Sequence, residues 1–196
     1  MTDEMTLVKR AQKGDGKAFE MLIEEHFKKI YNIAFRMTNN ADDASDMTQE
    51  VMIKLFKNIT SFKGDSKFST WVYRVATNTC LDELKKIRRN SHTSLNAEYD
   101  TGDGEITYDA PDTEPTPEQY VEKRELSEMV AKAIGCLSPE HRAVIVLRDI
   151  KGFSYEEIAD VLKCSSGTVK SRINRARAQL KNILEKDFGF GGTYLK

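Results

Sequence analysis

Ser154-Tyr155-Glu156-Glu157-Ile158-Ala159-Asp160-Val161-Leu162-Lys163-Cys164-Ser165-Ser166-Gly167-Thr168-Val169-Lys170-Ser171-Arg172-Ile173-Asn174-Arg175-Ala176-Arg177 decides the fold. Ser154 followed three residues later by Glu157 is a capping box. It opens a short helix with Ile158, Ala159, Val161 and Leu162 facing inward. Lys163-Cys164 makes a turn, and Ser165 or Ser166 caps a second helix. Two short helices joined by a turn of three or four residues form a helix-turn-helix. Ala159 is small where the two helices must approach closely.

The second helix sorts its residues by chemistry. At about 100° per residue, Ile173, Ala176 and Leu180 fall within about 40° of Val169. Leu184 continues the inward row. Lys170, Ser171, Asn174, Arg175 and Ala178 occupy the other side, and no acid occurs from Ser165 to Leu184. Arg bonds guanine and Asn bonds adenine bidentately, while Lys and Ser suit phosphate as well as bases. A lone basic helix face is most simply a solvated surface. The cap, turn and small residue beside this one favour DNA. Lys163 is the one departure, because the turn position before Cys164 favours positive φ and hence glycine.

Upstream, Pro139 after Ser138 marks a helix start that runs through Val144 and Leu147 toward Gly152. Before it, Leu126, Met129, Val130, Ala133, Ile134 and Leu137 form an amphipathic stripe. The first half of the chain is also helical. Leu7, Val8 and Ala11 suggest a short helix. Phe19, Leu22, Ile23, Phe27, Ile30, Tyr31, Ala34 and Phe35 line one face of a long one, with Asp15 as N-cap and Asn39-Asn40 as the left-handed stop. A third carries Ala44, Met47, Val51, Leu55 and Ile59 inward. After the loop Ser61–Ser66, a fourth buries Phe68, Trp71, Val72, Val75, Ala76 and Leu84 and ends in Lys85-Lys86-Ile87-Arg88-Arg89. The phase of Trp71 matches its apolar neighbours, which favours core packing over a base-stacking role.

Charge divides the chain into three. Residues 1–92 carry 16 Lys/Arg against 13 Asp/Glu, 93–122 carry nine acids and no Lys or Arg, and 123–196 carry 14 against nine. The acidic stretch holds three of the four prolines, Pro111, Pro115 and Pro117, and few large apolar residues. Such a segment buries too little surface to offset its ordering entropy. The result is an all-α chain of two small helical domains, 1–92 and 119–187, joined by a flexible acidic linker at 93–118, with a tail at 188–196.

Several classes are excluded. The longest apolar run, Ala143–Leu147, is far too short to cross a bilayer. The start has no basic and apolar leader, which points to a cytoplasmic protein. Cys80, Cys136 and Cys164 are isolated and His26, His92 and His141 lack metal-ligand spacing, so neither disulfide, metal nor cofactor is expected. No Gly-rich phosphate loop or nucleophile elbow occurs.

Phe153–Ala159 with Gly167–Arg177 resembles region 4 of a bacterial RNA polymerase sigma factor. Asp42-Asp43-Ala44-Ser45-Asp46-Met47-Thr48-Gln49-Glu50-Val51 resembles region 2.2. Phe68-Ser69-Thr70-Trp71-Val72-Tyr73-Arg74-Val75-Ala76-Thr77-Asn78 resembles regions 2.3 and 2.4. The size and the short acidic linker are similar to the extracytoplasmic-function group. The resemblance covers residue 6 to about 185. It implies a non-enzymatic protein that binds core polymerase and promoter DNA, duplex at the −35 element and melted at the −10 element. It implies no small-molecule substrate, no membrane insertion and commonly an anti-sigma factor.

Carried over by position, Asp46, Gln49 and Glu50 would face core polymerase. Phe62, Lys63, Ser66, Thr70, Tyr73, Arg74, Asn78, Asp82 and Lys85 would serve the −10 element. Lys170, Ser171, Asn174 and Arg175 would lie at −35 base edges, with Thr168 and Arg172 nearer phosphate or the domain surface. Two alternatives stay open at this point. One is a free-standing helix-turn-helix regulator whose first domain senses or dimerises. The other, a small enzyme, needs a convergent polar constellation that the sequence does not offer.

Overall fold

A computed structural model describes residues 3–91, 117–187 and 189; the side chains of 90, 91 and 117–123 are not described. The described residues are helical: α1 (Glu4–Gln12), α2 (Gly16–Thr38), α3 (Ala41–Asn58), a 3₁₀ turn (Ile59–Ser61), α4 (Phe68–Ser91), α5 (Pro117–Gly135), α6 (Pro139–Ile145), a π turn (Val146–Ile150), α7 (Tyr155–Leu162) and α8 (Ser166–Asp187). The expected linker lies outside the described residues except for its last two positions, which open α5. Pro117 suits that place, since a first-turn residue needs no N–H donor.

In the first domain, α2 is the central helix. Asp15 caps it by accepting from the Ala18 N–H at 3.1 Å. That bond and the Arg10 guanidinium hold the Asp15 carboxyl below its usual range. Asn39, at φ 58°, ends it in the left-handed region, and Asn40 then caps α3 by accepting from Asp43 N–H at 3.0 Å. The two asparagines thus do different jobs, a stop and a start. The buried row of α2 is Ala18, Phe19, Leu22, Ile23, His26, Ile30, Ile33, Ala34 and Met37. Phe27, expected inward, is 48% exposed, and Tyr31 and Phe35 are only half-buried. The straight helix keeps one face, and at that turn the inward place falls to His26.

Below α2, the inward rows of α3 and α4 follow the expected spacing. Ala44, Met47, Val51, Leu55 and Ile59 are all buried. On α4, Phe68, Trp71, Val72, Ala76, Cys80 and Leu81 are buried, while Val75 and Leu84 are half-buried. Phe62, Phe68 and Trp71 form one aromatic cluster with centroids 5.3–5.6 Å apart. Burial pushes the Cys80 thiol up to about 12, so it packs as a small apolar group.

The second domain closes α5 to α8 around Ile134, Leu137, Val144, Ile145, Leu147, Ile158, Val161, Val169, Ile173 and Ala176. Leu126, placed inward by periodicity, is 42% exposed. Ser138 caps α6 through the His141 N–H. Both capping-box bonds of α7 are made: Glu157 N–H donates to Ser154 Oγ at 3.1 Å, and Ser154 N–H to Glu157 Oε2 at 2.8 Å. Lys163 takes φ 50°, ψ 50°, so the turn has the left-handed geometry expected there without glycine. Ser165, not Ser166, caps α8, accepting from Thr168 N–H at 3.2 Å.

The domains touch. Ala143 and Val146 belong to the core of the first domain as well as lying on α6 and its π turn. Arg142 is buried and donates to the carbonyls of Met37, Gly135 and Leu137. Gly135 lies against Asn39, where a Cβ would come within 3.0 Å of the amide nitrogen. This close approach is what glycine permits.

Candidate polymerase and nucleic-acid interfaces

Three surfaces carry the residues singled out by sequence. The first is on α3. Asp46 and Gln49 are exposed and Glu50 is half-exposed, paired with Lys54 at 3.6 Å. The same helical face continues to Ile53, 47% exposed, and Phe56, 55% exposed. Across from it, Phe19, Ile23 and Phe27 of α2 and Met52 of α3 line a shallow cavity of about 460 Å³ with Glu20, Glu24 and Lys28 at its rim. Contiguous exposed apolar side chains beside acids mark an interaction surface. Sequence reasoning named the acids and missed the apolar part. The signal was present in Ile53, which repeats the phase of Asp46 and Glu50.

The second surface is the loop and the polar side of α4. Gln12 of α1 donates to the carbonyls of Ile59 at 3.0 Å and Phe62 at 2.8 Å, fixing the start of the loop. Lys63 is exposed and Ser66 half-exposed. Phe62, expected at the DNA surface, is 5% exposed and packs inside on Phe68 and Trp71. This corrects its placement, because a ring buried in an aromatic cluster braces the loop from within. Trp71 is in the core, as its phase required.

Thr70 is half-buried and Asp82 exposed. Tyr73, Arg74, Asn78 and Lys85 all meet the second domain. Tyr73 packs edge-on against Phe153 at 5.2 Å, and burial pushes its hydroxyl pKa up. Arg74 pairs with Asp160. Asn78 Nδ2 donates to Val161 O at 2.8 Å and to Arg74 O at 3.0 Å. Lys85 pairs with Glu140 at 3.4 Å. Nothing in the sequence pattern announced these pairings across 55 to 86 residues.

The third surface is α8. Val169, Ile173 and Ala176 are fully buried, Leu184 nearly so and Leu180 half-buried. Lys170, Ser171, Asn174 and Arg175 are exposed together on the opposite side. Thr168 and Arg172 are half-buried at the flank. Thr168 shares a 2.9 Å hydroxyl contact with Ser165, and Ser171 donates to Thr168 O at 2.9 Å. Further along, α8 is braced. Arg177 pairs with Asp149, which raises the Arg177 pKa, and His141 Nδ1 lies 2.9 Å from Gln179 Oε1. Arg148 supports the turn before α7, sitting 4.9 Å over the Tyr155 ring and donating to Phe153 O at 2.7 Å.

Among the described residues no group of acids, histidines or cysteines is arranged to hold a metal, and no helix is long and apolar enough to cross a membrane.

A helical first domain and a helix-turn-helix second domain are the two parts the comparisons recognise. Residues 22–90 match the family model for sigma-70 region 2, and residues 127–180 that for sigma-70 region 4. The chain belongs to the RNA polymerase sigma factors, in the extracytoplasmic-function (ECF) group. It is 36% identical to the RNA polymerase sigma-H factor of Pseudomonas aeruginosa, over 93% of this chain and 94% of that one. It is 37% identical to the ECF RNA polymerase sigma-E factor of Escherichia coli, over 94% and 95%. Among solved structures it is similar to the sigma factor RpoE of Bartonella quintana in complex with the anti-sigma factor NepR (TM-score 0.63, 25% identity, 87% of this chain and 99% of that one). It is also similar to CnrH in complex with the cytosolic domain of CnrY (TM-score 0.61, 26% identity, 93% and 97%).

The chain is therefore a transcription-initiation factor that works with core RNA polymerase and promoter DNA, and chemistry is left to polymerase. The match of the first domain to region 2 removes the free-standing regulator.

Proposed function

We propose that this sigma factor docks on core polymerase through the acidic face of α3, reads the −35 element with α8 and captures the opened −10 element with the loop and polar face of α4. Asp46, Gln49 and Glu50 supply the docking charges, with Ile53 and Phe56 adding apolar contact. Lys63, Ser66, Thr70, Tyr73, Arg74, Asn78, Asp82 and Lys85 serve the −10 strand, where a basic groove follows phosphates and polar side chains read an extruded base. Phe62 holds that loop in shape. Lys170, Ser171, Asn174 and Arg175 address −35 base edges, and Thr168 and Arg172 the adjacent phosphates. The protein acts in the cytoplasm and takes an anti-sigma factor as a further partner, as the similar RpoE of Bartonella quintana does in its complex with NepR.

The observation that carries this reading is the two-sidedness of α8. Its inner row is closed to solvent, and its outer row presents an amide and two cations from a helix whose capping and turn are intact. A rigid helix with this polarity suits the major groove. The test is transcription by reconstituted holoenzyme from a library randomised across the −35 element. Arg175→Ala is expected to relax preference at one or two base pairs and to cost about 1–3 kcal/mol there. An unchanged selected sequence would show that Arg175 does not read bases. The docking face is tested by Asp46→Arg with Glu50→Arg, which is expected to abolish co-purification with core polymerase while leaving the helical circular dichroism unchanged.

A further inference from the structure

α1 does more than fill the first core. Leu7, Val8 and Ala11 seat it there. Its last residue, Gln12, is half-buried and makes a polar contact that packing does not require: Nε2 donates to Ile59 O at 3.0 Å and to Phe62 O at 2.8 Å. Both partners are carbonyls, so only one orientation of the amide fits; turned over, its oxygen would face two acceptors. Two turns earlier on the same face, Met5 lies against the loop, where a Cβ on Gly64 would sit 3.6 Å from Met5 Cε. α1 thus touches the loop at its start and at its middle.

What the two bonds fix depends on what else holds the loop. Ile59 O closes the 3₁₀ turn by accepting from Phe62 N–H at 3.2 Å. Phe62 and Phe68 anchor the two ends through their rings. Between them, residues 63–66 take part in no backbone-to-backbone hydrogen bond among the described residues. Gly64 stands at φ 84°, where glycine is permitted and not constrained. Phe62 O belongs to the planar peptide that leads into Lys63, so the Gln12 bond sets the direction in which Lys63 and Gly64 leave the core. We propose that Gln12 is a positioning residue for the −10 reader: by holding the Phe62–Lys63 peptide it keeps the loop in one shape, and that shape decides which base the loop accepts. The inference rests on the reading of this loop as part of the −10 site and deepens it.

Gln12 acts through the loop and touches no base. Selectivity is a difference between affinities. A loop held in one shape leaves the polar groups of a wrong base unpaired, and unpaired groups are costly. A loop free to adjust fits each base with a shape of its own, so the differences shrink while the phosphate-driven part of the affinity remains. Loss of the brace therefore shows as loss of preference ahead of loss of binding. A residue that only supported the fold would act otherwise. Its loss would lower the fraction of competent protein and weaken every strand by one factor.

The test uses the full-length chain in holoenzyme with three substitutions. Gln12→Glu keeps the side-chain shape and sets acceptors against the two carbonyls. Gln12→Ala removes the contact. Gln12→Lys supplies N–H donors at similar reach and is the conservative restoration. Fluorescence anisotropy measures binding of labelled single-stranded oligonucleotides with the non-template −10 sequence of a promoter the holoenzyme transcribes, each −10 base being changed in turn to the other three. Thermal melting of the free variants by circular dichroism shows that each is folded, and binding is read below the lowest melting temperature of the set. Lys63→Ala with Ser66→Ala, in the loop itself, reports whether the loop meets the strand at all.

At the −10 position where the wild type discriminates most, Gln12→Glu and Gln12→Ala are expected to reduce the preference about tenfold, a size that the net worth of two hydrogen bonds allows. Gln12→Lys is expected to keep most of it, and its added charge strengthens all strands alike. If Gln12→Glu and Gln12→Ala weaken every base by one factor, or change nothing, while the Lys63/Ser66 variant alters capture, the inference falls and the reading of the loop stands. If Gln12→Lys loses the preference as fully as Gln12→Ala, donation to the carbonyls is not the cause and the inference falls as well. If the Lys63/Ser66 variant and all three Gln12 variants are silent, the loop is not part of the −10 site and that reading falls with the inference.

Discussion

The polar faces of α4 and α8 have the same design and opposite circumstances. Each helix buries one apolar row and presents amides, hydroxyls and cations on the other side. On α8 that side is open, and its cations Lys170 and Arg175 are exposed. On α4 the corresponding side meets the second domain: Arg74 and Asn78 have partners 86 and 83 residues away, and Tyr73 makes a ring contact with Phe153. Helical periodicity identifies both faces equally well. Availability is a property of the tertiary contact: the polar side of α8 is open, and that of α4 is met by the second domain.

The largest expected effect comes from the buried side of α4. Trp71 is 7% exposed and packs on Phe62 and Phe68. Trp71→Ala is expected to destabilise the first domain by about 3–5 kcal/mol, as truncating a buried aromatic does. Thermal and urea unfolding measure it. A folded, thermally normal Trp71→Ala protein that failed only in promoter opening would move Trp71 to the DNA side and break the two-sided description of α4.

The next effect compares the two faces directly. Lys170→Ala on α8 is expected to weaken holoenzyme binding to all −35 sequences alike and to flatten the salt dependence by about one unit of slope, the behaviour of a phosphate contact. Asn78→Ala on α4 is expected to weaken capture of the single-stranded −10 oligonucleotide by holoenzyme by about 0.5–1.5 kcal/mol, the net value of one hydrogen bond. The salt slope should not change, because an amide carries no charge. Equal salt slopes for the two variants would erase the distinction drawn between the faces.

Most of the fold was legible because its signals are local. The capping box, Ser138-Pro139, Asp15 and Asn39 each act within one helical turn, so sequence and structure agree residue by residue. The misplacements have a common cause. Phe27 and Leu126 lie near the edges of their apolar stripes, and which edge is covered depends on what packs alongside. Phe62 was assigned by family position to the DNA surface, while the Gln12 bonds that fold its loop inward come from a helix about 50 residues earlier. The covering of α4 was illegible for the same reason: Asp160 and Glu140 read as ordinary solvent-facing acids in the first turns or on the surface of short helices. Only the tertiary arrangement pairs them with Arg74 and Lys85.

A smaller effect distinguishes the domains by pH. His26 is buried between α1 and α4, 3.5 Å from Glu4 Oε1 and 5.4 Å from the Phe68 ring. Burial, reinforced by Lys29, pushes its pKa below the ordinary histidine value of 6.5, with Glu4 and Glu25 opposing. The unfolded chain therefore binds more protons just below pH 6.5 than the folded one. Stability of the first domain is full above that pH and falls as the pH drops through 6.5 toward the folded value, where the loss levels off. Unfolding followed by Trp71 fluorescence should show this loss between neutral pH and the onset of carboxylate titration. His26→Gln should flatten it in that window. A wild-type curve already flat there would mean that His26 is solvated as freely as in the unfolded chain.

The smallest effect concerns the joint between α7, which covers one face, and α8, which carries the other. Lys163 holds φ 50° and ψ 50° there, and Asn39 holds φ 58° at the end of α2. A left-handed residue with a Cβ costs about 1–2 kcal/mol, less for asparagine. Glycine removes that cost but adds roughly 0.5–1 kcal/mol of chain entropy. Lys163→Gly is therefore expected to stabilise the second domain by up to about 1 kcal/mol. Asn39→Gly should gain nothing, because asparagine already tolerates the conformation and its side chain packs against Gly135. Calorimetric melting of the two variants measures the difference. The Lys163→Gly protein should also select the same −35 sequence as wild type, since the turn geometry is unchanged. A destabilised Lys163→Gly protein would mean that the lysine stem contributes more packing to the joint than its backbone strain removes, and the angle between the covering helix and the reading helix would then depend on that side chain.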